Sequence, residues 1–180
     1  EEGRAFNYIV HLHGILVPIV VVCLLYIALV DYTDFVWLGA ISVGLSSGAS
    51  GIVTAHELGH RRPRSRSWWL SRLDLMCVLY LHFTIEHNHT HHKHWARPRD
   101  PTSSPWGRNV YFHFIRTIPL QLKGAYKARP KDFKNSMIAQ TILILTLLLI
   151  SPVVLGVFLL QSFVAIFLLE FVNYLQHHGL

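Results

Sequence analysis

The stretch MIAQTILILTLLLISPVVLGVFLLQSFVAIFLLEFVN, residues 137–173, decides the fold class of this chain. It is almost wholly apolar and about twice as long as the roughly 20 helical residues that cross a bilayer. Ser151 and Pro152 lie near its middle, where proline disfavours a continuous helix. The stretch therefore predicts two membrane-crossing helices joined by a tight bend.

Residues 8–30 and 35–55 form a second apolar pair, separated by a short acidic turn. Pro18 is tolerated in a membrane helix that packs against its neighbours. Residues 35–55 are rich in Gly, Ala and Ser, which let membrane helices approach closely. Across the chain 52% of residues are hydrophobic and 14% are charged, against about a quarter charged in soluble domains. The predicted fold is all-α: a polytopic membrane protein with about four transmembrane helices, plus interfacial helices that carry histidines.

We expect a single membrane domain over residues 1–180. Residues 112–128 (FHFIRTIPLQLKGAYKA) predict an amphipathic helix at the membrane surface. Because the chain starts without methionine and stops directly after a histidine pair, we expect it to be a truncated piece of a longer protein. The predicted parts, in chain order, are a transmembrane hairpin 8–55, a histidine-bearing interfacial region 56–135, a transmembrane hairpin 136–173 and a terminal histidine motif 174–180.

Basic residues concentrate in the runs 61–67 and 93–99, and the net charge is +6 with histidine neutral. Such runs mark cytoplasmic loops in α-helical membrane proteins. The apolar segment 68–85 between them is therefore expected to lie in the interface, or to dip in and return. Every histidine group then lies on the cytoplasmic side. Nucleic acid is a poor candidate partner, since the basic residues lie between apolar spans.

Histidine groups carry the chemical information, because imidazole is the commonest side-chain metal ligand. The first group is HELGH, in which i, i+4 spacing puts His56 and His60 on one helix face. It also matches HExxH, the zinc-protease signature in which Glu57 would be the general base. An intramembrane zinc protease is therefore an alternative. The only cysteines, Cys23 and Cys77, lie in apolar runs, which excludes a disulfide framework and a cysteine-rich zinc site.

The second group is EHNHTHHKH, in which His87 and His91 repeat the i, i+4 spacing. His92 is adjacent to His91 in angle around the helix. A hydrolytic zinc site has three protein ligands and one open position. Five convergent histidines suit two metals better, and imidazole binds iron, copper and zinc. The plainer interpretation is a polar cap that binds metal adventitiously. Glu86 either orients a ligand ring by hydrogen bonding or is a charge on the helix face. Asp100 either holds a ligand histidine in the same way or is part of an Asp-Pro turn.

The third group is NYLQHHGL, residues 173–180, which follows the last apolar span. His177 would re-enter the site from the second hairpin, and Gly179 ends the helix. The remaining histidines are expected to be packed, interfacial or surface side chains; they are His11, His13, His82, His89, His94 and His113.

Taken in order, HELGH, EHNHTHH followed by ARPRDPTSSPWG, and NYLQHHGL resemble the motifs of the membrane-bound alkane hydroxylases. These are relatives of xylene monooxygenase within the fatty acid desaturase-hydroxylase superfamily, and the resemblance covers nearly the whole chain. It implies a cytoplasm-facing centre of two non-haem iron ions that uses O₂ to hydroxylate the terminal carbon of a medium-chain alkane. It also implies a bacterial inner-membrane location, and electrons from rubredoxin and rubredoxin reductase or from a ferredoxin-type donor.

Carried over residue by residue, the resemblance gives six iron ligands: His56, His60, His87, His91, His92 and His177. The residues with a supporting or additional role would be Glu57, Glu86, Asp100, Gln176 and His178. Gln176 and His178 stand where the family usually has Glu and Tyr, so a carboxylate is missing and an extra imidazole is present. The family's last histidine box would follow residue 180, so the metal site of this chain alone is expected to be incomplete.

Four alternatives stay open at this point. Two are enzymes of the same class, an alkyl-aromatic (xylene) methyl hydroxylase and a fatty-acyl desaturase or hydroxylase. The third is the intramembrane zinc protease, and the fourth is an inactive metal-binding fragment.

Overall fold

The computed structural model describes residues 2–95, 97 and 100–179. Ala96, Pro98, Arg99 and Leu180, which belong to the quoted motifs and to the basic run 93–99, lie outside the described residues. The predicted all-α fold is confirmed, because the described residues form helices and no strand. The helices are α1 (Glu2–Val30), α2 (Phe35–Ser46), π1 (Ser47–Gly51), α3 (Ile52–Gly59), α4 (Arg66–Cys77), α5 (Phe83–Glu86), π2 (His87–His91), α6 (His92–His94), α7 (Val110–Ala128), α8 (Pro130–Ile150) and α9 (Pro152–His177).

Four helical segments are long and apolar enough to cross a membrane, as predicted. The break between the last two falls at Ser151, where the side-chain oxygen accepts a hydrogen bond from the Val153 amide at 3.2 Å. Ser151 therefore caps the first turn of α9. Pro18 lies within α1 without ending it. The four segments are Ala5–Val30, Phe35–Gly59, Pro130–Ile150 and Pro152–His177.

The chain divides into two compact units. The first unit contains Glu1–Tyr80 and Gln140–Ile166, and the second contains Leu81–Ala139 and Phe167–Leu180. Helices α8 and α9 contribute to both. The expected single domain over 1–180 stays a prediction.

The first unit has an apolar core built from α1, α2, α8 and α9. Gly44 of α2 makes the closest approach to α9. A Cβ atom there would lie 2.6 Å from the carbonyl oxygen of Gln161 and 2.7 Å from Cβ of Val164. Only a glycine fits this contact, which is the role predicted for small residues in this helix. The buried core residues are Val21, Leu24, Ala28, Val36, Ala40, Leu147, Val154, Val157 and Phe158.

Helix α4 occupies the first part of segment 68–85. Ser65 caps it by accepting a hydrogen bond from the Trp68 amide. The Ser71 hydroxyl donates to the carbonyl oxygen of Ala55 at 2.6 Å and so ties α4 to α3. Among the described residues, α4 is not one of the segments long and apolar enough to cross a membrane; the interfacial placement of this region stays a prediction.

Helix α7 of the second unit is amphipathic, but its polar side faces inward. His113, Thr117 and Gln121 are wholly buried, whereas Tyr111 and Ile115 are 69% and 74% exposed. An apolar outward face suits a helix that lies against lipid. The buried polar face has hydrogen-bond partners: the Thr117 hydroxyl donates to the carbonyl oxygen of Pro101, and Gln121 Nε2 donates to Glu170 Oε1 at 3.0 Å.

Candidate metal-binding histidines

The HELGH pair belongs to the first unit and lies at the C-terminal end of α3. His60 caps this helix, and its amide donates to the carbonyl oxygen of His56 at 3.3 Å. The Nε2 atoms of the two rings lie 3.0 Å apart, and the rings meet edge to face with centroids 4.5 Å apart. Metal–imidazole bonds of about 2.1 Å from both nitrogens would meet at roughly 90°. The pair therefore fits two adjacent coordination positions of one metal ion.

The second histidine group occupies a π-helical turn, which spacing alone did not predict. In π2 the amide of His92 donates to the carbonyl oxygen of His87, a hydrogen bond between residues i and i+5. The wider turn brings a residue five positions on above the first one. His92 thereby lies beside His87, whereas on an α-helix it would point to another side. Single π-turns inside α-helices are frequent at functional sites.

The rings of the second group lie face to face and edge to face. The centroids of His87 and His91 are 5.1 Å apart, and those of His87 and His92 are 4.4 Å apart. One ring nitrogen of His87 lies within 4.8 Å of one ring nitrogen of His92. Phe83 stacks on the other face of His87, with centroids 5.1 Å apart. Three imidazoles are thus grouped on one side of the turn.

Asp100 fixes the orientation of His91, which is buried. Both carboxylate oxygens of Asp100 lie 3.1 Å from His91 Nδ1, and the Thr102 hydroxyl oxygen lies 2.6 Å from the same nitrogen. With these acceptors, Nδ1 carries the ring hydrogen and donates it, a tautomer assigned from the hydrogen-bond network. Nε2 is then left with its lone pair, the arrangement found in metal-ligating histidines.

Asp100 is itself held as a carboxylate by its loop. It accepts hydrogen bonds from the Thr102 amide at 3.1 Å, the Thr102 hydroxyl at 2.9 Å and the Ser103 hydroxyl at 2.7 Å. Burial alone would raise the pKa of Asp100, but the hydrogen bonds from His91, Ser103 and Thr102 lower it overall. The aspartate therefore stays ionised at neutral pH. Thr102 and Ser103 were not singled out from the sequence, because an Asp-Pro-Thr-Ser stretch is equally typical of an ordinary turn.

We expect Asp100→Asn to lower the iron(II) affinity of the chain by about 10–100-fold, the usual cost of losing such a supporting hydrogen bond. The amide carries no charge, so it holds the Nδ1–H of His91 less firmly. The measurement is a competition titration of iron(II) against a chelator. Asp132→Asn is the matched control, because Asp132 is exposed and pairs with Arg129. Equal affinity in both variants would show that Asp100 does not support a ligand.

His177 lies against His91 within the second unit, although 86 positions separate them in the sequence. Their ring centroids are 5.1 Å apart and the rings meet at 86°. His177 Nδ1 donates to the carbonyl oxygen of Asn173 at 2.8 Å, so this ring also keeps Nε2 as its lone-pair nitrogen. The structure thus brings together a member of the second group and the predicted ligand of the terminal group.

The loop that carries Asp100 is joined to the terminal motif by backbone hydrogen bonds. The Ser104 amide donates to the carbonyl oxygen of His177 at 3.0 Å, and the Gly179 amide donates to that of Ser104 at 2.7 Å. These bonds form an isolated parallel bridge between Ser104 and His178. Gly179 has φ +85°, a left-handed conformation that favours glycine after a helix end.

The other candidate residues are placed less centrally. His178 packs between Trp106 and Tyr174, with centroid distances of 5.6 and 4.7 Å. Gln176 is exposed and Glu57 is half-buried. Among the described residues, no side-chain hydrogen bond or ring contact joins any of these three to a histidine of the proposed ligand set, so their supporting roles stay predictions.

Glu86 is buried directly before His87. Burial, followed by the negative charges of Asp100 and Glu170, raises the pKa of Glu86 to about 8. Glu170, also wholly buried, accepts a hydrogen bond from Gln121. Sequence reasoning missed both Glu170 and Gln121. A lone acidic residue within an apolar span is a signal that could have identified Glu170.

Three of the histidines expected to be packed or superficial lie within hydrogen-bond distance of a polar group. His11 lies 2.8 Å from the Ser67 hydroxyl, and His13 lies 3.0 Å from the Thr54 hydroxyl. His89 is exposed, and its Nδ1 lies 3.1 Å from the carbonyl oxygen of Ile85. His82 and His113 are buried.

Comparison with known proteins adds evidence beyond this geometry. The family model described as fatty acid desaturase matches residues 35–180. The alkane 1-monooxygenase of Pseudomonas putida is 32% identical in an alignment of 156 residues that covers 78% of this chain and 38% of that protein. Alkane 1-monooxygenase 1 of Pseudomonas aeruginosa is 32% identical in an alignment of 188 positions, gaps included, that covers 91% of this chain and 48% of the relative. The alkane 1-monooxygenase of Acinetobacter baylyi is 33% identical, in an alignment that covers 83% of this chain and 40% of that protein. The chain therefore spans less than half the length of these curated relatives.

Proposed function

Because this chain belongs to the fatty acid desaturase family, we propose that it forms part of a membrane non-haem diiron monooxygenase. In this proposal it uses O₂ to hydroxylate the terminal carbon of medium-chain alkanes. The similarity to proteins named alkane 1-monooxygenase supports this reaction over fatty-acyl desaturation and over hydroxylation of aromatic methyl groups.

The observation that carries the proposal is the state of the imidazole nitrogens within each unit. His56 and His60 direct their Nε2 atoms toward each other at a separation that one metal can bridge. His91 and His177 each use Nδ1 as a hydrogen-bond donor and retain Nε2. This donor set suits iron, copper or zinc, and a protein chooses among them by geometry and ligand type. The proposed iron ligands are His56, His60, His87, His91, His92 and His177.

Iron bound to these residues would supply the redox chemistry by which O₂ attacks an unactivated C–H bond. The chain's own residues hold and orient the ligands. Asp100 fixes the tautomer and the rotation of the His91 ring, and Thr102 and Ser103 keep the carboxylate of Asp100 in place. The Asn173 carbonyl has the same role for His177. Rings fixed in this way need little reorganisation when metal binds.

An alkane offers no polar group, so it must be recognised by length and shape. Each buried CH₂ contributes about 0.8 kcal/mol, which separates chain lengths only gradually. We propose that the substrate lies among the four apolar helices. The preference for medium chains then depends on how far the space between those helices extends, and on bulky side chains that close its end.

We propose that electrons come from rubredoxin and rubredoxin reductase, or from a ferredoxin-type donor. The protein would lie in the bacterial inner membrane with its metal site facing the cytoplasm. The support is the net charge of +6 and its concentration in loops next to the histidine motifs. A basic surface accelerates association with an acidic electron carrier.

The function is tested by reconstituting the chain in membranes with iron(II), rubredoxin, its reductase and NADH. We expect O₂-dependent conversion of octane to 1-octanol, detected by gas chromatography, at a higher rate than oxidation of xylene or of a fatty acid. A preference for xylene or for the fatty acid would assign the reaction to those substrates instead. Zinc in the purified protein, together with peptide cleavage that Glu57→Gln abolishes, would identify a protease. Iron binding without turnover under full electron supply would identify a metal-binding fragment.

A further inference from the structure

A cluster of basic side chains lies in the second unit and includes none of the proposed metal ligands. It consists of Arg108, just before α7, and of His113 and Arg116 on α7; we call it the arginine cluster. The Tyr174 hydroxyl donates to the carbonyl oxygen of Arg108 at 2.7 Å. The Tyr174 ring lies 5.4 Å from that of His113. The start of α7 is therefore fixed against the end of α9 at this point.

The arginine cluster contains buried polar atoms that have no partner. Among the described residues, the Nη1 atoms of Arg108 and Arg116 and both ring nitrogens of His113 are inaccessible and form no hydrogen bond. His113 is wholly buried. Buried polar groups in folded proteins nearly always have a partner, and an uncompensated buried charge is more costly still. The buried N–H groups of the arginine cluster therefore lack a hydrogen-bond acceptor.

The carboxylates of the second unit do not supply that acceptor. In the part of the chain that the structure describes, Asp100 pairs with His91 and Asp132 pairs with Arg129. Glu170 accepts hydrogen bonds from Gln121 and Asn173, and Glu86 forms no salt bridge among the described residues. Neither Arg108 nor Arg116 forms a salt bridge with a described residue. The charge of Arg116 acts on Arg108, and no salt bridge within the described residues neutralises either guanidinium group.

The pKa values of the cluster reflect this uncompensated positive charge. Burial, followed by the charges of Arg108 and Arg116 and then those of His177 and His178, lowers the pKa of His113 to about 4. Burial and the charge of Arg116 also lower the pKa of Arg108. His113 is consequently neutral at physiological pH, and the positive charge of the cluster resides on the two arginines.

The surface next to the cluster is apolar. Tyr111, Phe112 and Ile115 lie on the same turns of α7 and expose most of their side chains. A helix with a basic polar part and exposed aromatic and aliphatic residues is typical of the membrane interface. Guanidinium groups at the membrane interface lie among the lipid headgroups, and anionic headgroups attract them.

Arg108 and Arg116 are each only half-buried, and we propose that guanidinium nitrogens other than the enclosed Nη1 atoms bind the phosphate of an anionic phospholipid headgroup. The planar guanidinium group presents paired N–H donors that match phosphate oxygens. The exposed residues Tyr111, Phe112 and Ile115 give the acyl chains an apolar surface. Inorganic phosphate has the same oxygens but no acyl chain, so it gains only part of this interaction. The argument for this site does not rest on iron binding or on the proposed oxygenase activity.

The test measures lipid binding to the purified full chain in a neutral detergent. Native mass spectrometry follows titrations with phosphatidylglycerol and with phosphatidylcholine. Thermal unfolding is recorded with phosphatidylglycerol and with inorganic phosphate at the same concentrations. We expect wild type to bind phosphatidylglycerol more tightly than phosphatidylcholine and to gain little stability from inorganic phosphate. In Arg108→Gln/Arg116→Gln the phosphatidylglycerol affinity should fall about tenfold or more, because charge-assisted hydrogen bonds are lost.

Lys123→Gln/Lys127→Gln is the matched control, since it removes two exposed charges from the same helix. It should keep wild-type phosphatidylglycerol affinity. An equal loss in both double variants would show only diffuse attraction and would overturn the site. Stabilisation by inorganic phosphate equal to that by phosphatidylglycerol would overturn the lipid assignment. If the arginine double variant does not fold, as judged by circular dichroism, the single variants Arg108→Gln and Arg116→Gln replace it. Unchanged affinity in both single variants would also refute the proposal.

Discussion

Replacing His91 with alanine is expected to remove most of the iron from the purified chain. His91 combines three features of a ligand: it is buried, its Nδ1 is engaged by Asp100 and Thr102, and its ring lies beside those of His87 and His177. Its removal also leaves the Asp100 carboxylate without its imidazole partner. The loss of affinity should therefore exceed the roughly 10–100-fold effect of altering a supporting group. Iron per chain is measured by plasma emission spectrometry after gel filtration.

His89→Ala is the matched control, because His89 belongs to the same π-turn but is exposed. Its Nδ1 faces the carbonyl oxygen of Ile85 in the preceding turn. This variant should retain wild-type iron. If His89→Ala loses as much iron as His91→Ala, the metal binds along the exposed histidine tract, and the ligand assignment fails. If neither loses iron, the second group does not bind it at all.

Asp74→Asn is expected to stabilise the protein, and the gain should grow as the pH rises. Asp74 of α4 is buried, and among the described residues neither of its carboxylate oxygens has a hydrogen-bond partner. Burial raises the pKa of Asp74 from 3.8 to about 8. The Cys77 thiol is shifted in the same direction. Burial, followed by the charge of Asp74, raises the pKa of Cys77 to about 12.

The direction of the pH effect follows from proton linkage. Between about pH 4 and pH 8 the folded protein keeps the Asp74 proton, whereas the unfolded chain releases it. The contribution of this group to stability is therefore fully present below pH 4 and decreases as the pH rises, until the folded carboxyl ionises near pH 8. Asparagine does not titrate, so the variant avoids this decrease. A shift of this size corresponds to roughly 3–5 kcal/mol at pH 8.

Unfolding in detergent at pH 5 and at pH 8.5 tests this expectation. The difference in unfolding free energy between Asp74→Asn and wild type should be small at pH 5 and large at pH 8.5. Asp31→Asn controls for the loss of a carboxylate, because Asp31 is exposed and should show no such pH-dependent gain. A constant difference at both pH values would mean that Asp74 is ionised within the fold.

The largest part of the architecture could be read from the sequence. Apolar length predicts the four candidate membrane helices, because a helix that crosses hydrocarbon must be apolar for about 20 residues. Pro152 marks the start of α9, since its ring cannot continue the preceding helix. The i, i+4 spacing of His56 and His60 places both rings on one face, and the structure has their Nε2 atoms 3.0 Å apart.

Other features follow from contacts between distant parts of the chain. The spacing of His87, His91 and His92 is compatible with an α-helix, and only the i to i+5 hydrogen bond of π2 places His92 beside His87. The pattern of α7 predicts two faces but does not show which one packs inward. The buried choice depends on partners such as Glu170 of α9, which accepts the hydrogen bond from Gln121.

The sequence by itself therefore determined the helical membrane class, the bend before Pro152 and the residues able to bind metal, because these depend on local composition and spacing. Only the tertiary structure decided that Asp100 orients His91, that His177 lies against the same ring, and that Arg108 and Arg116 share an uncompensated environment. These outcomes depend on which backbone and side-chain partners meet after folding, and no local pattern records that.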